Sequence, residues 1–200
     1  MITVSPPSLA INDSRAAVAY TMDATRTAYP LTSTAEIIQM ILEEADRTPH
    51  AVLQNLVLTA HGRPGYFQLG LGLTQGVLGL FKGIRNHVKK IWLRGCMIAR
   101  ITGPETAHHG DGAYLRARGF NTGDGHAFVS ALASWARCYV VAPTEVQSSV
   151  HATYPRGLMD SYEGLVVCYS PAGAICWRHR YRSLYGYDAL TRSWYNPNRE

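Results

Sequence analysis

The stretch LQNLVLTAHGRPG, residues 53–65, decides how the chain is read. Residues 53–60 are an apolar run rich in Leu and Val, the signature of a strand buried on both faces, and the run stops on His61-Gly62-Arg63-Pro64-Gly65, a loop signal. A second unit follows. KIWLRGC, residues 90–96, reads as a strand running directly into Gly95 and Cys96. Between the two, a short extended piece is expected over 66–69. Thr74 then caps a helix whose Val77, Phe81, Ile84 and Val88 recur at the spacing of one helical face, weakened by internal glycines.

The same alternation extends in both directions. Upstream, Ser33-Thr34-Ala35-Glu36 is a capping box, and Ile37, Ile38, Met40, Ile41, Leu42 and Ala45 form the apolar face of a helix ending near Arg47, before Pro49. Downstream, Asp124 caps a helix with Phe128, Leu132 and Trp135 on one face, and CYVVA, residues 138–142, is the next strand. Strands alternating with helices predict an α/β fold with a mostly parallel sheet flanked by helices on both faces. A C-terminal β-hairpin is added by GLVVCYSPAGAICW, residues 164–177, whose turn at Pro171-Ala172-Gly173 is expected to set Cys168 opposite Cys176. The two thiols are expected to fill a strand face rather than to bond. One domain over 1–200 results, with a core over 31–143 and the hairpin plus an aromatic tail, including Tyr181, Tyr185, Tyr187, Trp194 and Tyr195, over 164–200. Residues 102–122 have no clear period and read as a loop or insertion.

Composition narrows the function classes. The 200 residues are 46% hydrophobic and 16% charged, a folded rather than disordered profile. The net charge of +5 comes from scattered Lys and Arg, with no basic stripe interleaved with aromatics, so nucleic acid is not expected as a partner; an anionic small-molecule activator stays open. No run approaches the length of a membrane span, and residues 1–20 do not read as a signal peptide. A cytoplasmic location is expected, or export without a classical signal peptide. The cysteines, four in number, show no CxxC spacing, and His108, His109, Asp111 and His126 lack the spacing of a metal site, so neither metal nor cofactor is expected. No Gly-x-Ser-x-Gly elbow, GxxxxGK[ST] or strand-linked GxGxxG is present.

His61 and Cys96 are the candidate catalytic pair. Each follows one of two successive strands, and in a parallel sheet catalytic groups gather at the strands' carboxyl ends. Their separation, 96 − 61 = 35, suits one strand-helix-strand unit. A thiol supplies a nucleophile, and an imidazole takes and returns its proton. Gly62 and Gly95 let the backbone turn and approach a substrate, so that the amides of Gly62 and Cys96 serve as oxyanion donors. Asp124 is read as an N-cap rather than as a partner of a catalytic His.

NLVLTAHG (55–62) followed by IWLRGC (91–96) resembles the two blocks of the caspase-like (clan CD) cysteine peptidases, where one strand ends in His-Gly and the next in the nucleophilic Cys. HGRPGYFQLG (61–70), GCMIA (95–99) and GDGHAFVSALA (123–133) look most like the self-processing peptidase domains of large bacterial toxins and related domains of bacterial surface proteins. The resemblance spans about residues 53–143. It implies a caspase-like three-layer sandwich and a cysteine peptidase with Cys96 as nucleophile and His61 as general acid/base, acting on itself or on a restricted protein or peptide substrate. The competing expectation is a catalytically silent caspase-like interaction module that binds a protein through the aromatic C-terminal region.

Overall fold

The computed structural model describes residues 1–100, 123–147, 154–181, 186–188 and 193–195. Seven strands form one sheet: β1 (Ser8–Asp13), β2 (Ala24–Ala28), β3 (Asn55–Thr59), β4 (Lys90–Arg94), β5 (Tyr139–Pro143), β6 (Gly164–Tyr169) and β7 (Ile175–Tyr181). Their spatial order is β7-β6-β5-β4-β3-β1-β2. The five strands from β2 to β5 run parallel, and β6 is antiparallel to both β5 and β7. The fold is therefore mixed α/β around a mostly parallel sheet, and the hairpin β6-β7 extends that same sheet. Every residue of β1 and β3 is buried, as central strands require.

Two strands were not anticipated. β1 lies next to β3 near the middle of the sheet although Ser8, Asn12 and Asp13 are polar, because the folded chain supplies each a partner. The Ser8 amide and hydroxyl both donate to Asp23 Oδ2, and Asn12 exchanges hydrogen bonds with the backbone of Tyr20. β2 is the edge strand beside it.

Helix α1 (Thr34–Asp46) starts at the Ser33 capping box, with Glu36 N–H donating to Ser33 Oγ and the Glu36 carboxylate accepting from the Ser33 amide. It buries Ile37, Ile38, Ile41 and Ala45. The segment Gln75–Ile84 is a 3₁₀ helix rather than an α-helix, and Thr74 makes no side-chain cap. Gly76, Gly79 and Gly83 fall inside it, and glycine costs roughly 1 kcal/mol per residue in an α-helix. Leu78, Phe81 and Ile84 still reach the core, while Val88 leaves the segment to form a bridge with Leu53. Helix α2 (Gly125–Ala136) is capped by Asp124, whose Oδ1 accepts from Ala127 N–H at 2.8 Å. Its buried face is Phe128, Val129, Leu132, Ala133 and Ala136; Trp135 is 37% exposed, with Lys82 over its ring, a correction to the expected face.

One face of the sheet carries α1, the 3₁₀ segment and α2, packed on Leu9, Ile11, Leu56, Leu58, Ile91, Leu93 and Val140. The connections β2→β3, β3→β4 and β4→β5 all step in the same direction across the sheet, so right-handed crossovers put them on one side. Only β1→β2 steps the other way. Residues 14–23 therefore cross the opposite face, where Val18, Tyr20 and Met22 pack with Met159 and Tyr162 on Ala10, Val57 and Val141. Among the described residues that face carries no helix.

In the hairpin, Cys168 pairs with Trp177 and Tyr169 with Ile175, so a bulge leaves Cys176 without a paired position. Cys168 is buried and Cys176 exposed, both are free, and Cys176 Sγ donates to the Cys168 carbonyl at 3.4 Å. The expected facing of the two thiols is thus offset by one residue. Beyond β7, Gly186–Asp188 pairs with Ser193–Tyr195, and Tyr185 lies outside the described residues.

The helix packing gives a direct test by urea denaturation. Leu132→Ala is expected to cost about 2–5 kcal/mol by emptying the core beneath α2, whereas Trp135→Ala is expected to cost about 1 kcal/mol or less, as befits a partly exposed site.

Candidate active site

β3 and β4 are neighbouring parallel strands in the register Leu56↔Ile91, Val57↔Trp92, Leu58↔Leu93 and Thr59↔Arg94. The Ala60 amide extends the ladder to the Arg94 carbonyl at 3.0 Å. His61 lies two residues beyond Thr59, and Cys96 lies two beyond Arg94, so both leave the sheet at its carboxyl edge on adjacent strands. They line one cleft of about 70 Å³ together with residues 16–18, Tyr20, Thr59, Ala60, Arg94, Gly95, Gln147 and Asp160. A second cleft of about 250 Å³, lined by His61, Gly62, Arg63, Tyr66 and Gln68, opens beside His61.

The two glycines also allow a close approach of backbones. A Cβ on Gly62 would stand 2.6 Å from the Cys96 carbonyl oxygen and 3.1 Å from its amide nitrogen, and one on Gly95 would stand 2.5 Å from the Ala60 carbonyl oxygen. Gly62 and Gly95 therefore let the His-bearing and Cys-bearing segments lie against each other. The Gly62–Arg63 and Tyr66–Phe67 strands pair as a tight hairpin in which Gln68 N–H donates to the His61 carbonyl at 2.8 Å. Alternation along an antiparallel pair makes Gly62↔Phe67 a non-hydrogen-bonded pair, so the Gly62 N–H points out of the hairpin, on the side of Gly95.

His61 is exposed, with Nε2 3.0 Å from the Arg15 carbonyl oxygen. A carbonyl only accepts, so this contact is a hydrogen bond when Nε2 carries the proton, which leaves Nδ1 as the acceptor nitrogen of a neutral ring. Cys96 is partly buried; its Sγ accepts from the Gln147 amide at 3.4 Å and donates to the Gln147 carbonyl at 3.6 Å. Burial raises the thiol pKa above its ordinary value, an effect that the Gln147 N–H partly offsets and the Glu163 carboxylate adds to. Cys96 therefore rests as a thiol at neutral pH.

A buried cation beneath this cleft was not read from the sequence. Arg94, 5% exposed, pairs with Asp160, and its Nε donates to Tyr20 Oη at 3.3 Å. Tyr20 also donates to Asp160, and the guanidinium lies 4.2 Å from the centre of the Tyr162 ring. Arg94 Nη1 and Thr59 Oγ1 have no hydrogen-bond partner among the described residues. The strand pattern KIWLR shows where Arg94 sits but not that the chain brings Tyr20, Asp160 and Tyr162 around it. Among the described residues no group of three His, Cys, Asp or Glu is arranged to hold a metal. His126 Nδ1 instead meets Tyr169 Oη at 3.0 Å, and His108, His109 and Asp111 lie outside the described residues. No helix among the described residues is long and apolar enough to cross a membrane.

Two measurements check this geometry. Gly95→Ala is expected to destabilise the protein by about 1–3 kcal/mol in urea titrations through forced overpacking, while Gly79→Ala, whose Cβ meets nothing within 4 Å, changes stability by about 0.5 kcal/mol or less. The rate of Cys96 alkylation by iodoacetamide is expected to keep climbing as pH rises past about 8.5, the ordinary thiol value, because burial favours the neutral form; a rate already level below pH 7 would contradict that environment.

No family model matches the chain, and neither the curated proteins nor the solved structures contain a match to it.

Proposed function

We propose that the chain is a caspase-like cysteine peptidase in which Cys96 is the nucleophile and His61 the general acid/base. The observation that carries this reading is the shared cleft at the carboxyl ends of β3 and β4, with His61 held through Nε2 by the Arg15 carbonyl. The cleft also lies where the chain reverses direction across the sheet: β1 sends its connection one way and the later strands send theirs the other. Loops diverge at such a point and leave a crevice for a ligand. Parallel strands followed by an antiparallel hairpin, with His-Gly and Gly-Cys ending adjacent strands, support the caspase-like assignment.

The chemistry follows from the protonation states. Cys96 starts as a thiol, so attack is base-assisted: the Sγ–H proton passes to His61 Nδ1 as the S–C bond forms and the peptide carbonyl becomes an oxyanion. The outward-facing Gly62 N–H and the Cys96 N–H are the candidate donors to that oxygen. The imidazolium then returns its proton to the amine nitrogen as the C–N bond breaks, leaving a thioester on Cys96. Water, deprotonated by the same Nδ1, attacks the thioester and releases the carboxylate and the thiol. The substrate is a protein or peptide, or a segment of the chain itself.

An electrophilic peptide ketone and a fluorogenic peptide panel test this. The ketone is expected to modify Cys96, mapped by mass spectrometry; Cys96→Ala is expected to lose at least about a thousandfold in turnover, and His61→Ala about 10²–10⁴-fold. Turnover retained by folded Cys96→Ala would overturn the assignment, and an inert Cys96 in a folded chain that still binds a protein partner would favour the silent interaction module.

A further inference from the structure

His61 is held by more than one contact, and the holding parts come from an element that the proposed chemistry does not use. β1 ends at Asp13, whose side chain is only 1% exposed. Its carboxylate accepts four hydrogen bonds. Oδ1 takes Arg15 Nε at 2.8 Å and the Arg15 amide at 2.9 Å, and Oδ2 takes Arg15 Nη2 and the Gly70 amide, both at 2.8 Å. The fork between Arg15 and Asp13 is bidentate, the strongest and most directional ion-pair geometry.

From that anchor two routes lead to His61. The Arg15 carbonyl accepts from the ring at Nε2. Arg15 Nη2 shares its two protons among Asp13 Oδ2 and the carbonyls of Gln68, at 3.0 Å, and Gly70, at 2.6 Å, and the Gln68 amide donates to the His61 carbonyl at 2.8 Å. Ring and backbone of the histidine are thus tied to one arginine, and that arginine to one buried carboxylate. The closed circuit runs His61 ring, Arg15 carbonyl, Arg15 guanidinium, Gln68, His61 backbone.

We propose that Asp13 and Arg15 are positioning residues for His61, which fix the imidazole as the Nε2–H tautomer and hold Nδ1 ready as the base. The chemical requirement at residue 13 is strict. Four donors converge on two oxygens, so a group with a single acceptor atom and an NH₂ turns at least one donor against another. Arg15 also has to be an arginine, because a lysine offers no planar fork to meet both carboxylate oxygens while reaching two carbonyls. The catalytic consequence rests on the peptidase reading of His61; the tautomer and its dependence on Asp13 do not.

The test uses the full chain, with nitrogen-15 NMR of the His61 side chain alongside steady-state kinetics. In the unmodified protein His61 is expected as the Nε2–H tautomer; an Nδ1–H ring there overturns the proposal before any variant is made. Asp13→Asn and Arg15→Lys are expected to give a mixed tautomer, with kcat down about 10- to 100-fold from a misplaced base, KM within about twofold, and a shifted pH–rate profile. A role confined to folding would lower the melting temperature and leave the tautomer and the kcat-to-KM split alone. A folded variant of either kind with the His61 tautomer and kcat unchanged overturns the proposal. Failure of the peptidase reading is separable: a chain without peptidase activity whose His61 is nonetheless locked as Nε2–H, and released by Asp13→Asn, refutes that reading and leaves this one standing.

Discussion

The contact between the Ala60–Gly62 backbone and the Gly95–Cys96 backbone is the constraint on which the carboxyl edge of the sheet depends. Two parallel strands end in step, and their continuations touch where neither residue 62 nor residue 95 tolerates a Cβ. The chain after Cys96 is then stapled outward. Met97 N–H donates to the Glu145 carbonyl, Ala99 N–H to that of Pro143, and Gly125 N–H to that of Arg100. The end of β5 and the start of α2 are located by those bonds, and Gln147, which brackets the Cys96 sulfur, comes with them. A shift of one strand by a single residue would turn its side chains to the opposite face and take His61 or Cys96 out of the cleft that both line.

Two ion pairs, each with one buried and one partly exposed partner, lie on either side of this edge and differ in character. Asp13–Arg15 spends its hydrogen-bonding capacity on backbone groups of the loops that surround His61. Arg94, the cation of the other pair, is buried among tyrosines, and Tyr162 in turn donates to the Leu93 carbonyl at 3.1 Å. Taking charges out of water is expensive unless geometry and further hydrogen bonds compensate, so neither arrangement is explained as a simple gain in stability. Their common effect is to fix, by directional bonds, segments that have no regular secondary structure. Residues 14–23 and 154–163 cover one face of the sheet without a described helix, and such covering needs anchors of this kind.

Periodicity carried the sequence reading far where a helix or strand buries an apolar face continuously. The capping box at Ser33, the strands at Asn55–Thr59 and Lys90–Arg94, and the Asp124 cap were all legible for that reason. It misled where local chemistry competes with pattern. The spacing of Val77, Phe81 and Ile84 is helical, yet the segment, with three glycines in ten residues to weaken an α-helix, is 3₁₀. Ser8, Asn12 and Asp13 hid a central strand, because polar residues in a core are intelligible only once their partners at Asp23, Tyr20 and Arg15 are in place. The one-residue offset of Cys168 and Cys176 arises from a bulge, which a turn signal does not encode.

By itself the sequence determined the alternation of strands and helices, and with it the ends on which His61 and Cys96 stand, because hydrophobic period and strand-end glycines are local properties. Tertiary structure alone decided what surrounds them. The Arg15 carbonyl at the imidazole, the Asp13 carboxylate behind it and the Tyr20, Asp160 and Tyr162 groups around Arg94 come from segments distant in the chain. Their meeting depends on the direction in which each crossover steps across the sheet. That direction is set by chain handedness and sheet order together, and no short window of residues contains it.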